Sequence, residues 1–355
     1  MKKLVSMISM LLVGSLLFTG CSTSSNATTE QSVETSDGTL VTNNKDGVVI
    51  KFIAMSTASV YWSSLRAGAE AAAEEFGDEW GGITIQFDAP ESDTDMAKQI
   101  DLINNSVSAG VDGLLVAPSS PTVPHGAIVD AIESGVFVIC VDQYLDPMDA
   151  NAFFGTNGVQ ACKDLAEYMV ENVLDGEEST GKYGSLVYNM TSLASIDRYD
   201  GFVEGMEAFA PQMESVGYEI TDSDIAETQS IVANMIQANT DLKILFANND
   251  RSALGTLNAL KQEGSLDIKM CCVDVNLELL QAMRQGIVQA CALQMPYNQG
   301  YEGVKMLLAL MNGEEVPKES DSGSFILTQD NMDTNEAVAA IRQYIEGYEP
   351  DDSKN

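Results

Sequence analysis

Val136-Phe137-Val138-Ile139-Cys140-Val141-Asp142-Gln143 decides the fold. The run from Val136 to Val141 has strand length and no apolar–polar alternation, so both faces of the strand are covered. A strand buried on both faces belongs to a parallel sheet flanked by helices. Working outward, residues 48–55 and 113–116 are further continuous apolar runs, and 83–87 alternates as a half-buried strand does. Between them the apolar spacing turns helical over 61–76, which stops before Gly77. It does so again over 94–109, where Met96, Ile100, Ile103 and Val107 share a face and Gly110 ends the helix, and over 128–134. The rhythm resumes after residue 158. Helices are expected over 159–173, 196–210, 225–238, 252–263, 277–285 and 299–311, and strands over 184–188, 243–247, 269–273 and 289–293. The expected class is α/β, with two doubly wound parallel-sheet lobes.

Ligands of such sheets bind beyond the carboxyl ends of the strands. The residues there are polar or aromatic. Ser56, Thr57, Ser59, Tyr61 and Trp62 follow the first strand; Asp142 and Gln143 follow Val141; Asn189 and Thr191 follow Tyr188. Asn248, Asn249 and Asp250 follow Ala247, Asp274 and Asn276 follow Val273, and Gln294 follows Leu293. Asn, Asp and Ser also end strands and cap helices for purely local reasons, so the ligand reading rests on the whole set. Buried hydroxyls need donors and acceptors in pairs, and the C–H face of a sugar ring packs on an aromatic surface. The set suits a neutral polyhydroxylated ligand.

The N-terminus places the chain. Lys2 and Lys3 precede an apolar stretch from Leu4 to Phe18, and Thr19-Gly20-Cys21 follows. A charged start, a short apolar core and small residues make a secretory signal, and the apolar part is shorter than the roughly 20 residues that span a bilayer. Residues 22–47, rich in Ser, Thr, Asn and Glu, are expected to form a flexible tether. Net charge is −35, from 18 Lys and Arg against 53 Asp and Glu; removing Lys2 and Lys3 with the signal makes it −37. Such a field repels nucleic acid and anionic lipid headgroups.

Cys140, Cys271, Cys272 and Cys291 lie in apolar runs and Cys162 in a helix. Free buried cysteines acting as small core residues are expected, although spacing leaves a disulfide open. With no Cys-x-x-Cys pair and a single histidine, no metal site is expected. Asp93-Thr94-Asp95 and Asp330-Asn331-Met332-Asp333 lack the spacing of a calcium loop. His125 opens a loop or helix, and no G-x-S-x-G elbow exists, so no catalytic residue, no cofactor and no enzyme activity are expected.

Thr19-Gly20-Cys21 resembles the lipobox of bacterial lipoproteins, with Phe18 where Leu is usual. The resemblance implies a signal peptide over 1–20, a lipid on Cys21, a tether over 21–47, and a place on the extracytoplasmic face of the cell membrane. Residues 48–330 resemble the ribose/galactose-type periplasmic sugar-binding proteins, the type I substrate-binding proteins of ABC importers. Leu65-Arg66-Ala67-Gly68-Ala69, Ala109-Gly110-Val111-Asp112-Gly113, residues 137–142 and Asn249-Asp250-Arg251-Ser252-Ala253-Leu254-Gly255 carry that resemblance in order. It implies two lobes joined by three crossings, near Thr156-Asn157, Gln294-Met295 and Leu327-Thr328. The N-terminal lobe is then 48–156 plus 295–327 and the C-terminal lobe 157–294 plus 328–350. It also implies a sugar ligand, a membrane permease as partner, and a monomer. Tyr61 and Trp62 correspond to the family's stacking aromatics; Asp142, Asn249, Asp274 and Gln294 correspond to its hydrogen-bonding residues, with Ser56 and Ser59 in a loop one residue shorter. Gln143 stands where the family often has arginine. A second ligand arginine falls nearest Ile196, with Arg198 two residues on. Arg251 either caps the pocket or joins a surface ion pair. The same fold also serves as a sensing module for a chemoreceptor or sensor kinase.

Overall fold

A computed structural model of the chain describes residues 47–350, except Ala58, Asp175 and Glu346, together with the strands β1 (Val33–Glu34) and β2 (Leu40–Val41). β1 and β2 pair antiparallel, Val33 opposite Val41. The signal, Cys21 and the rest of the expected tether up to residue 46 lie outside the described residues.

From Val48 the chain alternates strand and helix: β3 (Val48–Ile53), α1 (Val60–Phe76), β4 (Ile83–Asp88), α2 (Met96–Ser108), β5 (Gly113–Val116), α3 (His125–Glu133), β6 (Phe137–Val141) and β7 (Ala152–Gly155). It continues with α4 (Gly158–Asn172), β8 (Gly181–Val187), α5 (Leu193–Phe209), β9 (Met213–Ile220), α6 (Ile225–Ala238), β10 (Leu242–Ala247), α7 (Asp250–Glu263), β11 (Lys269–Val273), α8 (Leu277–Arg284) and β12 (Val288–Leu293). Last come α9 (Pro296–Met311), β13 (Glu319–Asp321), β14 (Phe325–Thr328) and α10 (Asn335–Arg342). The strands form two sheets, ordered β13-β7-β6-β5-β3-β4 and β14-β12-β11-β10-β8-β9. Every pairing in both is parallel except β14, which runs antiparallel to β12.

Helices cover both faces of each sheet, as the unbroken apolar strands require. In the first lobe α1 and α9 pack on one face around Phe52, Leu115 and Ile139. α2 and α3 pack on the other around Leu114, Val116 and Val138. In the second lobe α4 and α5 cover Ile244, Phe246 and Cys271, and α6, α7 and α8 cover Leu245, Met270 and Cys272. The closest approach is between α1 and α9. A Cβ on Gly68 would sit 1.9 Å from the Tyr297 carbonyl oxygen, and one on Gly300 would sit 1.9 Å from that of Leu65. All five described cysteines are free and buried; Sγ of Cys272 lies 3.1 Å from Sγ of Cys291.

The first helix ends at Phe76, before Gly77, as expected; Gly77 is right-handed (φ −56°), a 3-10 turn over Gly77–Trp80 follows, and the left-handed reversal is at Gly81 (φ 70°). β7, β9, β13, β14 and α10 lie outside the expected elements: β9 is an edge strand exposed along most of its length and so carries no apolar run. The chain passes from the first sheet to the second between β7 and β8, returns between β12 and β13, and passes over again between β13 and β14, where Phe325 pairs with Leu293.

Candidate functional site

The register aligns the strand ends. Ile53 pairs with Val116 and Val116 with Cys140 in the first sheet; Ala247 pairs with Cys272 and Val273 with Ala292 in the second. The residues that follow these strands converge on one cavity between the lobes. All ten residues named from the sequence line it: Ser56, Ser59, Tyr61, Trp62, Asp142, Gln143, Arg198, Asn249, Asp274 and Gln294.

In the first lobe, Ser59 is the N-cap of α1; its Oγ accepts the Tyr61 backbone N–H at 3.2 Å. That cap fixes the first turn and turns Tyr61 and Trp62 inward. Their rings meet edge-on, 5.0 Å between centroids at 89°, and both are buried. At the tip of β6, Asp142 holds a left-handed backbone (φ 62°). Tyr61 Oη lies 2.7 Å from Asp142 Oδ1 and 2.8 Å from Gln299 Oε1, so its single proton goes to one of them at a time. Gln143 Nε2 donates to Asp142 Oδ2 at 3.0 Å.

In the second lobe, Asn249 is the N-cap of α7. Its Oδ1 accepts from Ser252 N at 2.8 Å and its amide donates to Ser223 Oγ at 2.9 Å. Asp274, at the tip of β11, is also left-handed (φ 67°). It accepts from Gln294 Nε2 at 3.1 and 3.2 Å and from the Tyr344 hydroxyl. Arg198, on α5, donates to the Asn248 carbonyl at 2.9 Å and reaches within 3.8 Å of Asp142 Oδ1. Arg198, two residues on from Ile196, lies in the cavity lining.

Five further residues line the cavity: Met55, Asp93, Tyr188, Asp250 and Arg251. Arg251 lines the cavity and forms no ion pair among the described residues: its Nε donates to the Ser223 carbonyl at 2.6 Å, and Ser223 Oγ in turn donates to Asp93 at 3.3 Å. Ser59 Oγ lies 3.3 Å from both Asp250 carboxylate oxygens, linking the lobes. Asp250 already stood at a strand tip, and its position was the available signal. Tyr344 gave none, because α10 lies some 70 residues on from Asp274.

Burial raises the pKa of Asp142 and of Asp274, and the Arg198 charge opposes the rise in both. Burial works against the Arg198 charge too, but Tyr188, Asp274 and Asp142 around it outweigh that and hold it protonated. Asp250 is pushed up to about 7, by burial first and then by the Asp274 charge. The arrangement offers carboxylate acceptors and guanidinium donors beside an aromatic wall. His125 bonds Asp149 at 2.9 Å, outside the cavity lining.

Residues 50–315 match the model of the periplasmic binding protein domain. The D-ribose/D-allose-binding protein of Pseudomonas aeruginosa is 25% identical over 280 residues, covering 77% of this chain and 85% of its own. The ribose import binding protein of Bacillus subtilis is 23% identical over 275 residues, covering 78% and 85%. Among solved structures, an ABC transporter solute-binding protein from Agrobacterium vitis with bound D-fucose is 28% identical. Its TM-score is 0.75, over 81% of this chain and 98% of that one. The two-lobed fold, the cavity at the strand ends and the match over residues 50–315 agree: the chain belongs to the periplasmic binding protein family.

Proposed function

We propose that this chain binds a small neutral polyhydroxylated ligand, a monosaccharide, between its lobes and delivers it to an ABC importer. One observation carries the reading: Asp142 and Asp274, at two strand tips in different sheets, flank Arg198 in the cavity that the Tyr61–Trp62 pair walls. Charged acceptors and donors bond hydroxyls strongly, and an aromatic face receives the apolar side of a pyranose or furanose. The relatives that bind ribose, allose or fucose support the same class. The sequence of residues 1–21 supports export and a lipid anchor on Cys21, holding a monomeric binder outside the cell membrane near its permease.

A thermal-shift screen across monosaccharides tests the binding reading. A ligand at 100 times its Kd adds about 2.7 kcal/mol of stability, and a neutral pentose or hexose is expected to give the largest shift. No shift with any monosaccharide would overturn the reading and leave the fold intact. Mass spectrometry of the mature N-terminus tests the anchor: an unmodified Cys21 refutes it.

A further inference from the structure

Gln143 stands among the expected ligand contacts, but its own bonds assign it another task. A carboxamide has two N–H donors and an oxygen with two lone pairs. Gln143 Nε2 donates to Asp142 Oδ2 at 3.0 Å and to Tyr188 Oη at 3.2 Å. Its Oε1 accepts from Ser192 Oγ at 2.6 Å and from the Ala194 backbone N–H at 3.3 Å. All four positions are used. The orientation of the amide is fixed chemically, since the Ala194 N–H can only meet an oxygen.

The remaining proton positions follow. Gln143 donates to Tyr188, Tyr188 Oη donates to Ser192 Oγ at 2.7 Å, and Ser192 Oγ donates back to Gln143. This is a closed ring in which each group donates once and accepts once in the same sense, the arrangement in which hydrogen bonds strengthen one another. It is buried: Gln143 is 2% exposed, Tyr188 5% and Ser192 1%. It also crosses between lobes. Gln143 follows β6 in the first sheet; Tyr188 follows β8 in the second, and Ser192 is the N-cap of α5, the helix that carries Arg198. Arg198, by contrast, has five N–H donors and gives one short bond, to the Asn248 carbonyl, among the described residues.

We propose that Gln143 is a clasp between the lobes, a positioning residue that ties the Asp142 tip to the start of α5 and makes no contact with the ligand. A ligand group reaching Gln143 would have to break one of its four bonds and strand a buried partner. Separating the lobes breaks the three bonds to Tyr188, Ser192 and Ala194 together.

Ser192 is outside the cavity lining, and that separates a clasp from a ligand contact. Spin labels at Val123→Cys and Leu277→Cys, both exposed and on opposite lobes, report interlobe distance by electron–electron resonance in the full chain. No sugar is needed for that readout. Gln143→Ala, Ser192→Ala and Tyr188→Phe are each expected to move the distance distribution to longer separations. The Gln143/Ser192 double variant is expected to go no further than either single one. Tyr188→Phe keeps the ring packing and serves if a Ser192 variant loses its helix cap. The affinity arm rests on the sugar-binding reading: for whichever monosaccharide the screen returns, Gln143→Ala and Ser192→Ala are expected to weaken binding by a similar factor, about tenfold. A distance distribution unchanged in Gln143→Ala overturns the clasp. So does lost affinity in Gln143→Ala with full affinity in Ser192→Ala, which is the pattern of a direct ligand contact. A screen that finds no sugar removes the function reading but leaves the distance result to decide the clasp.

Discussion

Asp142 and Asp274 hold the same place in the two sheets. Each follows the third strand of its sheet order, counted from the edge where β13 or β14 lies, and each turns left-handed, at φ 62° and 67°. A side chain with a Cβ pays for that region with roughly 1–2 kcal/mol, which the short polar side chain of Asp tolerates better than most. The turn aims both carboxylates into the cavity, where Arg198 faces them. The backbone requirement and the carboxylate can be told apart by substitution.

Asp274→Ala is expected to lose the ligand-induced thermal shift. A bond to a charged group contributes about 1.5–3 kcal/mol, so affinity should fall at least ten- to a hundredfold. Asp274→Gly should lose binding equally yet unfold at higher denaturant than Asp274→Ala, by about 1 kcal/mol, because glycine adopts positive φ freely. Equal stability of the two variants would show that the left-handed turn carries no cost.

Asp250 gives stability a pH dependence with a definite sign. Its folded pKa, about 7, lies above the ~3.9 of an unfolded aspartate, so the folded chain holds the proton more tightly. The contribution is fully present below about pH 4 and is lost as pH rises through about 7. A three-unit difference corresponds to ~4 kcal/mol. Asp142 and Asp274 are raised by burial as well and remain in an Asp250→Asn variant. That variant should therefore gain stability relative to the parent at pH 8 and little at pH 4.5. Parallel pH profiles for the two proteins would contradict the assignment.

The chain has two tryptophans, Trp62 on the cavity wall and Trp80 in the turn after α1. Ligand binding should change the fluorescence of Trp62 alone. Trp80→Phe should keep the full ligand-induced change, and Trp62→Phe should abolish it while retaining an aromatic wall and weakened binding. A signal that follows Trp80 would remove Trp62 from the ligand surface.

Much of this was legible in the sequence where burial is extreme. β5, β6 and β11 lie in the middle of their sheets, so all of their residues but the half-buried Lys269 that opens β11 are apolar, and their tips then mark where polar groups enter the cavity. β9 was not legible because an edge strand that faces solvent needs no apolar run. Tyr344 was not, because its partnership with Asp274 depends on how α10 packs after the chain has re-entered the second lobe. Gln143 shows a different limit. Its position at a strand tip was readable, but a tip residue can spend its hydrogen bonds on ligand or on protein, and only the partners decide.

The contact between α1 and α9 offers a test of the scaffold alone. Gly68 and Gly300 let these helices meet backbone to side, with no room for a methyl group on either. The opposed atoms are the carbonyl oxygens of Tyr297 and Leu65, which belong to helix backbones and cannot rotate aside as a side chain would. Glycine to alanine inside a helix ordinarily gains up to ~1 kcal/mol of propensity. Here the steric term opposes it, and overpacking of a tight core costs about 1–3 kcal/mol or more. Gly300→Ala should therefore destabilise the protein in chemical denaturation. Gly126→Ala, in the first turn of α3 with open space around it, should be neutral or slightly stabilising. If both variants were stabilised alike, the close helix crossing would not hold.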